Sequence, residues 1–120
     1  MARILLVDDD EDVLESMAEL LGRHHEVIVA AGFPQALAAL GEGPLPDVVV
    51  TDYDMAPYRG DDLLAIVAAR WPRVGRILHS GAPGVAAKAN RLHVDHLVKK
   101  GDPSELARAI AQCLLRLRWA

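Results

Sequence analysis

The chain has 120 residues, of which 52% are hydrophobic and 25% charged, and its formal net charge is −4. This length and composition predict one globular domain, residues 1–120, with a single hydrophobic core. The acidic balance excludes a general basic footprint for nucleic acid, so we expect no direct nucleic-acid binding. The single cysteine, Cys113, excludes an intrachain disulfide and is expected in the core. The longest apolar runs are far below the roughly 18 residues of a membrane span, and the first residues show no signal-peptide pattern, so we expect a cytoplasmic protein without membrane contact.

Short apolar runs alternate with helical patterns along the chain. The runs predict buried strands over residues 3–7, 26–30, 48–52, 74–79 and 94–98. Helical patterns of apolar residues predict helices over residues 13–21 and 33–41, from Asp61 or Asp62 to near Trp71, and over 103–117. Residues 85–92 are expected to form a short, weakly apolar helix. Five strands alternating with five helices through short loops predict an α/β three-layer sandwich with a parallel sheet.

Several residues carry start and stop signals for these helices. Asp10 or a neighbour is expected to cap the first helix, and Gly22 to end it. Asp61 or Asp62 is expected to cap the third helix, and Pro103 suits the first turn of the last one. Residues 53–60 are predicted to form a loop, because they include a proline and end in a glycine.

Polar side chains follow four of the five predicted strands. They are Asp8 and Asp9 after the first strand, Asp52 and Asp54 after the third, Ser80 after the fourth and Lys99 after the fifth. Right-handed crossovers bring the carboxyl ends of parallel strands to one edge of the sheet. Clustered carboxylates stay ionised together only beside a cation, and their hard oxygens suit Mg²⁺.

A lysine and a serine at the same edge add a positive charge and a hydroxyl donor for phosphoryl oxygens. The set therefore predicts a site that holds a phosphoryl group next to a carboxylate, with attack by Asp52 itself giving an acyl phosphate. Each residue alone also has an ordinary explanation, such as an acidic helix start or a turn serine. Their joint occurrence at four strand ends favours the functional interpretation.

The motifs at these strand ends resemble those of CheY-like response-regulator receiver domains, the phosphoacceptor half of two-component signalling. The matching segments are ILLVDDD at residues 4–10, DVVVTDYDM at 47–55 with Gly60 beyond, SG at 80–81 and VK at 98–99. The resemblance covers essentially the whole chain. It implies a (βα)5 fold with the flavodoxin-like strand order 2-1-3-4-5.

The resemblance also implies a role for each strand-end residue. The implied roles are Asp52 as phosphoacceptor, Asp8, Asp9, Asp52 and the backbone carbonyl of Asp54 as Mg²⁺ ligands, Ser80 as switch hydroxyl and Lys99 as phosphoryl contact. The phosphoryl donor would be a histidine kinase or a histidine phosphotransfer protein. The domain would not be an enzyme beyond its own phosphorylation and dephosphorylation.

Phosphorylation in this family shifts a two-state equilibrium that is read on the face of the fourth helix, fifth strand and fifth helix. That face would control a partner or an attached output domain, and a homodimer stays open. Trp119 is expected to be partly buried, with a dimer or interdomain contact as the alternative.

The sequence departs from the family pattern in four places. The loop proline is shifted by one residue, to Pro57, and His96 takes the aromatic switch position. Lys100 stands where a proline commonly follows the lysine, which leaves the isomer of the Lys99–Lys100 peptide open. The segment 80–99 is short, which predicts a short or irregular fourth helix.

Asp54 adds a charge two residues beyond the acceptor. We expect it to affect the lifetime of the acyl phosphate by orienting or repelling the attacking water, and Asp54→Asn would then change the dephosphorylation rate. A solvent-facing loop acid is the equally weighted alternative.

Two other functions stay open at this stage. In a haloacid-dehalogenase-like phosphatase, Asp52-Tyr53-Asp54 would be the Asp-x-Asp signature and Ser80 and Lys99 the later motifs, although that signature normally follows the first strand. A phosphorylation-independent receiver-like interaction module is the second alternative, and the complete acidic set argues against it.

Overall fold

The computed structural model describes residues 2–119, and the side chains of residues 2–116. The expected environment of the Trp119 side chain therefore lies outside the described residues. In chain order the elements are β1 (Arg3–Val7), α1 (Glu11–Leu21), β2 (Glu26–Ala30), α2 (Phe33–Glu42), β3 (Val48–Thr51), β4 (Asp54–Met55), β5 (Tyr58–Arg59), α3 (Gly60–Arg70), β6 (Gly75–Ser80), α4 (Val85–Lys88), a 3-10 helix (Arg91–His93), β7 (His96–Lys99) and α5 (Pro103–Trp119).

The main sheet has five parallel strands in the order β2-β1-β3-β6-β7. This is the predicted order second, first, third, fourth, fifth, so both the α/β fold class and the topology are confirmed. The register places Val7 beside Ala30 and Thr51, and Ser80 beside Lys99. The strand ends that carry polar residues therefore share one edge of the sheet.

Strand alternation divides the core into two layers, because successive side chains point to opposite faces of a sheet. The layer under α1 and α5 is built on Ile4, Leu6, Val48, Val50, Ile77 and Val98. The opposite layer, under α2, α3 and α4, is built on Leu5, Val7, Val49 and Leu78. Each fully buried aliphatic side chain of this kind contributes about 1.5–3 kcal/mol by leaving water.

Cys113 lies in the layer under α1 and α5, as expected, and burial raises the pKa of its thiol to about 11. A β-carbon on Gly75 would stand 3.0 Å from the β-carbon of Cys113, so α5 packs close to the backbone of β6. None of the described helices is long and apolar enough to cross a membrane.

Local signals at the helix ends are partly confirmed. Asp10 caps α1, with its carboxylate accepting the amide of Asp12 at 2.9 Å, and Gly22 ends that helix. The predicted cap of α3 is wrong, because Arg59 stands at the N-cap without a capping hydrogen bond and Asp61 lies inside the first turn. The carboxylate of Asp61 instead accepts hydrogen bonds from Arg59 and from the amide of Asn90.

Two irregular regions follow the strands β3 and β6. The predicted loop 53–60 contains the two-residue antiparallel strands β4 and β5. The expected short fourth helix is found as the four residues of α4 followed by the 3-10 helix. Among the described residues Ala56–Pro57 is the one cis peptide, so the Lys99–Lys100 peptide is trans.

Candidate functional site

Two buried carboxylates stand at the carboxyl ends of neighbouring central strands. Asp8 follows β1 and Asp52 follows β3, and the amide of Asp52 donates to the carbonyl of Val7 at 2.9 Å. Local hydrogen bonds orient both side chains, since Asp8 Oδ1 accepts the amide of Asp10 at 2.9 Å and Asp52 Oδ1 accepts the amide of Tyr53 at 2.8 Å. The fold therefore aims both acids at the same point.

The lysine at this point is Lys100. Its Nζ lies 2.7 Å from Asp8 Oδ2 and 3.3 Å from Asp52 Oδ1. Lys99, which the sequence predicted here, is exposed and lies on the other side of the strand. The prediction for Lys99 is therefore corrected to Lys100.

Strand alternation explains this correction. Val98 points into the layer under α1 and α5, so Lys100, two residues later, points the same way as Asp8 and Asp52. The Lys100 amide continues the sheet ladder by donating to Ser80 O at 2.9 Å, and Gly101, with φ of +99°, then turns the chain toward α5. Counting residues of one face along the strand would have identified Lys100 from the sequence.

Asp9 completes an acidic cluster with Asp8 and Asp52. One carboxylate oxygen of each residue lies within 4.8 Å of those of the other two. Three carboxylates against the single ammonium of Lys100 leave two negative charges uncompensated within the cluster, which is the charge of one divalent cation. Hard carboxylate oxygens are the ligands that Mg²⁺ takes in proteins, so this donor set fits the expected ion.

The pKa values of the cluster reflect its burial and its crowding. Burial raises the pKa of Asp52 most, and the neighbouring charge of Asp8 raises it further. Lys100 and the Tyr53 amide act in the opposite direction but do not outweigh these two effects. Burial acts to lower the pKa of Lys100, but its hydrogen bond to Asp8 and the charge of Asp52 have the larger effect. The pKa of Lys100 is therefore raised above its ordinary value.

Ser80 and Lys99 lie together on the opposite face of the sheet. Ser80 has the parity of Leu78, and its Oγ accepts the amide of Ala82 at 3.2 Å. Both residues line a cavity of about 350 Å³ between the start of α4 and the end of β7, together with Leu97. The structure thus brings Ser80 to the correct edge of the sheet, and its role as a switch hydroxyl stays a prediction.

The switch position on β7 shifts with the lysine. In the prediction, the switch position His96 lies three residues before Lys99. The residue three positions before Lys100 is Leu97. Leu97 is half-buried and packs against the layer under α2, α3 and α4, whereas His96 pairs with Ile77 in the sheet. The predicted switch position therefore moves from His96 to Leu97, whose side chain has no polar group, and its role stays a prediction.

Asp54 opens the short strand β4 and its side chain is exposed. It pairs across the hairpin with Arg59. Its backbone carbonyl stays a predicted metal ligand.

Two further residues lie beside the cluster that the sequence did not predict as part of the site. His79 is buried on the face of Asp8 and Lys100, and the protein lowers its pKa to about 4, first by burial and then through the charge of Lys100. Tyr53 is buried and donates its amide to Asp52. Parity with Ile77 would have placed His79 on this face, whereas nothing in the sequence signals the contact of Tyr53.

The chain belongs to the response regulator receiver domain family, whose model matches residues 4–111. Solved structures with the same fold include a response regulator receiver domain protein from Clostridium thermocellum, with 25% identity, a TM-score of 0.88 and coverage of 99% of this chain and 98% of that one. The signal receiver domain of an HD domain-containing protein from Pseudomonas fluorescens Pf-5 has 29% identity, a TM-score of 0.89 and 98% coverage of both chains.

A third similar structure is the response regulator TrrA from Thermotoga maritima, in complex with Mg²⁺-BeF. It has 23% identity, a TM-score of 0.85 and coverage of 94% of this chain and 99% of that chain. No curated protein sequence matches the chain at a significant level. The family and the fold confirm the predicted receiver domain of two-component signalling, and nothing in these comparisons supports the phosphatase alternative.

Proposed function

We propose that Asp52 accepts a phosphoryl group from a histidine kinase or a histidine phosphotransfer protein. The observation that carries this proposal is the grouping of Asp52 with Asp8, Asp9 and Lys100 at one edge of the sheet. The nucleophile, two further acids for a cation and a fixed positive charge are then within reach of one phosphoryl group. Phosphoryl transfer depends mainly on such positioning and charge stabilisation.

The phosphoryl group passes directly between two reactants, the donor histidine and the carboxylate of Asp52. An oxygen of Asp52 attacks the phosphorus, the new P–O bond forms, and the P–N bond to the donor histidine breaks. The electron pair of that bond stays on the imidazole. Both contacts of the acceptor carboxylate, to the Tyr53 amide and to Lys100, involve Oδ1, which leaves Oδ2 as the attacking atom. Hydrolysis by water returns the carboxylate and releases inorganic phosphate.

Asp8, Asp9 and Asp52, with the backbone carbonyl of Asp54, are the residues that would hold Mg²⁺. The bound ion would supply positive charge that neutralises the phosphoryl oxygens beside three carboxylates. The chain's own contribution is to hold the carboxylates of Asp8 and Asp52 in a fixed orientation. The hydrogen bonds that Asp8 and Asp52 accept from backbone amides do so without any rearrangement at the moment of reaction.

Lys100 would exchange one negative partner for another. It bridges Asp8 and Asp52 before transfer, and afterwards its ammonium is placed to pair with a phosphoryl oxygen. Ser80 would provide the second donor by turning its hydroxyl toward the phosphoryl group. Asp54 would modulate the lifetime of the acyl phosphate, as expected from the sequence.

The proposed role is that of a single signalling domain over residues 1–120, with no catalysis beyond its own phosphorylation and dephosphorylation. Its output would pass through the face formed by α4, β7 and α5 to a partner or an attached domain, without direct binding of nucleic acid or membrane. A cytoplasmic location suits a domain that takes its phosphoryl group from a kinase.

The test is incubation of the protein with Mg²⁺ and a small acyl-phosphate donor, followed by intact-mass measurement. We expect wild type to gain the mass of one phosphoryl group and Asp52→Asn to gain nothing. Asp47→Asn is the matched control, because Asp47 stands before the same strand at the opposite, amino end. No gain by wild type would instead support the phosphorylation-independent interaction module.

A further inference from the structure

A second buried acid, Asp61, lies outside the acceptor cluster. Only 1% of its surface is exposed, although it belongs to the first turn of a helix. Arg59 binds both of its carboxylate oxygens, with Nε 3.0 Å from Oδ1. The backbone amide of Asn90 donates to Oδ2 at 2.7 Å, across the gap between α3 and the 3-10 helix. Asp61 is therefore bonded to two separate segments of the chain.

The charge of Asp61 is well compensated in this setting. Burial works to raise its pKa, but the hydrogen bonds from Arg59 and the Asn90 amide outweigh burial and hold the pKa below its ordinary value. Leaving a buried carboxylate without partners is strongly unfavourable. We therefore expect Arg59 and the Asn90 amide to move together with the carboxylate of Asp61.

Arg59 connects Asp61 with Asp52 through Tyr53. The guanidinium lies 5.2 Å from the centre of the Tyr53 ring, and the Tyr53 amide donates to Asp52 Oδ1. The Tyr53 carbonyl accepts the amide of Gly60 at 2.7 Å. A β-carbon on Gly60 would stand 1.9 Å from the Asp52 carbonyl oxygen, so the start of α3 packs directly on the acceptor residue.

The Asn90 side reaches the junction between α4 and the 3-10 helix. Asn90 Oδ1 caps the 3-10 helix by accepting the amide of Leu92 at 3.1 Å. Leu92 is 86% exposed, and the preceding helix α4 has only four residues. The bond to Asp61 thus joins the junction of these two short helices to α3, on which the 3-10 helix packs.

We propose that Asp61 is a positioning residue that couples the state of Asp52 to the segment 85–93. A phosphoryl group on Asp52 changes the charge and geometry of the carboxylate that accepts the Tyr53 amide. Tyr53 is held at both its amide and its carbonyl, so it transmits that change to Arg59 and to the start of α3. Asp61 then carries it to the Asn90 amide. The inference rests on Asp52 being the phosphoacceptor.

Coupling between two sites is reciprocal, so it can be tested from the far end. Asn90 has φ of −73°, and Ala89 before it is extended, with φ of −70° and ψ of 141°. Both conformations suit a proline at position 90. Asn90→Pro therefore deletes the amide that donates to Asp61 without forcing a new backbone conformation. Asn90→Ala is the matched control, since it removes the same side-chain cap but keeps the amide.

The readout is the affinity of Asp52 for beryllofluoride in the presence of Mg²⁺. We expect Asn90→Pro to change this affinity by about fivefold or more, a typical coupling, and Asn90→Ala to stay within about twofold of wild type. Equal affinities for Asn90→Pro and wild type, or equal changes in both variants, would overturn the proposal. Failure of wild type to bind beryllofluoride would instead count against the proposed function of Asp52.

A second measurement covers the case in which the proline variant does not fold. The amide resonance of Asn90 is followed by NMR during beryllofluoride titration of wild type, Asp61→Asn and Asp62→Asn. Asp62 is the exposed neighbour in the same turn. We expect the Asn90 resonance to move in wild type and Asp62→Asn and to stay in place in Asp61→Asn. A similar movement in all three proteins would show that Asp61 carries no coupling.

Discussion

The imidazole of His79 predicts how the stability of the protein depends on pH. His79 lies on β6, and it lines a cavity with Val13 and Met17 of α1 and with Lys100. Its buried setting and the neighbouring ammonium lower its pKa from 6.5 to about 4. The folded protein therefore resists protonation of this side chain, whereas the unfolded chain binds the proton readily.

The sign and the magnitude follow from this difference. Because the folded pKa is depressed, the stabilisation is complete above pH 6.5 and is lost as the pH falls from 6.5 toward 4. At about 1.4 kcal/mol per pKa unit, the full effect is roughly 3 kcal/mol. At pH 5.0 the expected loss is about 2 kcal/mol, because the unfolded chain is then largely protonated at His79 and the folded protein is not.

The assay is urea denaturation of wild type and His79→Gln at pH 7.5 and pH 5.0. Between these pH values wild type is expected to lose about 2 kcal/mol more of its unfolding free energy than the variant. Other titrating groups, including Asp52 and His25, are common to both proteins and cancel in the comparison. Equal losses in the two proteins would refute the assignment of a buried, neutral His79.

Three further predictions concern the acceptor and its surroundings. Lys100→Ala is expected to slow phosphorylation by a small-molecule donor by about a hundredfold, as removal of one transition-state donor does, whereas Lys99→Ala stays near wild type in the same rate assay. Gly60→Ala should lower the free energy of unfolding by at least about 2 kcal/mol in urea denaturation, because its new β-carbon meets the Asp52 carbonyl; an unchanged midpoint would contradict this packing. Asp52→Asn should raise the melting temperature at neutral pH, because the pKa of Asp52 is raised in the folded protein and its ionised form therefore destabilises the fold. This gain in melting temperature should shrink as the pH falls through the folded pKa of Asp52.

The strands and the acidic edge could be predicted because their signals are local. Runs such as residues 48–50 are buried on both faces of the sheet and read as strands from composition alone. Parallel topology then places Asp8 and Asp52 at one edge without further information. Both conclusions depend on backbone geometry, which the sequence pattern specifies well.

The choice between the adjacent residues Lys99 and Lys100 depended on strand parity, that is, on the face of the sheet to which each side chain points. The family pattern does not state this parity. Lys99 and Lys100 are both polar residues at the end of one strand, and only their parity relative to Val98 separates them. The prediction was wrong by one residue. It chose Lys99, whose side chain points away from Asp8 and Asp52, and it therefore placed the expected switch position at His96 and not at Leu97. Strand parity was available in the sequence and would have decided the question.

The partners of Asp61 were beyond sequence reasoning. An acid in the first turn of a helix is ordinarily a capping or dipole-stabilising residue exposed to water. Here the carboxylate of Asp61 is buried between two partners. The amide of Asn90, 29 residues later in the chain, lies 2.7 Å from its Oδ2, and Arg59 forms an ion pair with it. Only the tertiary packing of the 3-10 helix on α3 creates that environment.

The central claim, that Asp52 is a covalent phosphoacceptor, is tested most directly by locating the modified atom. After reaction with Mg²⁺ and an acyl-phosphate donor, borohydride reduces an aspartyl phosphate to the alcohol of homoserine, and peptide sequencing by mass spectrometry identifies the position. We expect homoserine at position 52 and aspartate at positions 8, 9 and 54. Homoserine at one of those three positions, or none at all, would contradict it.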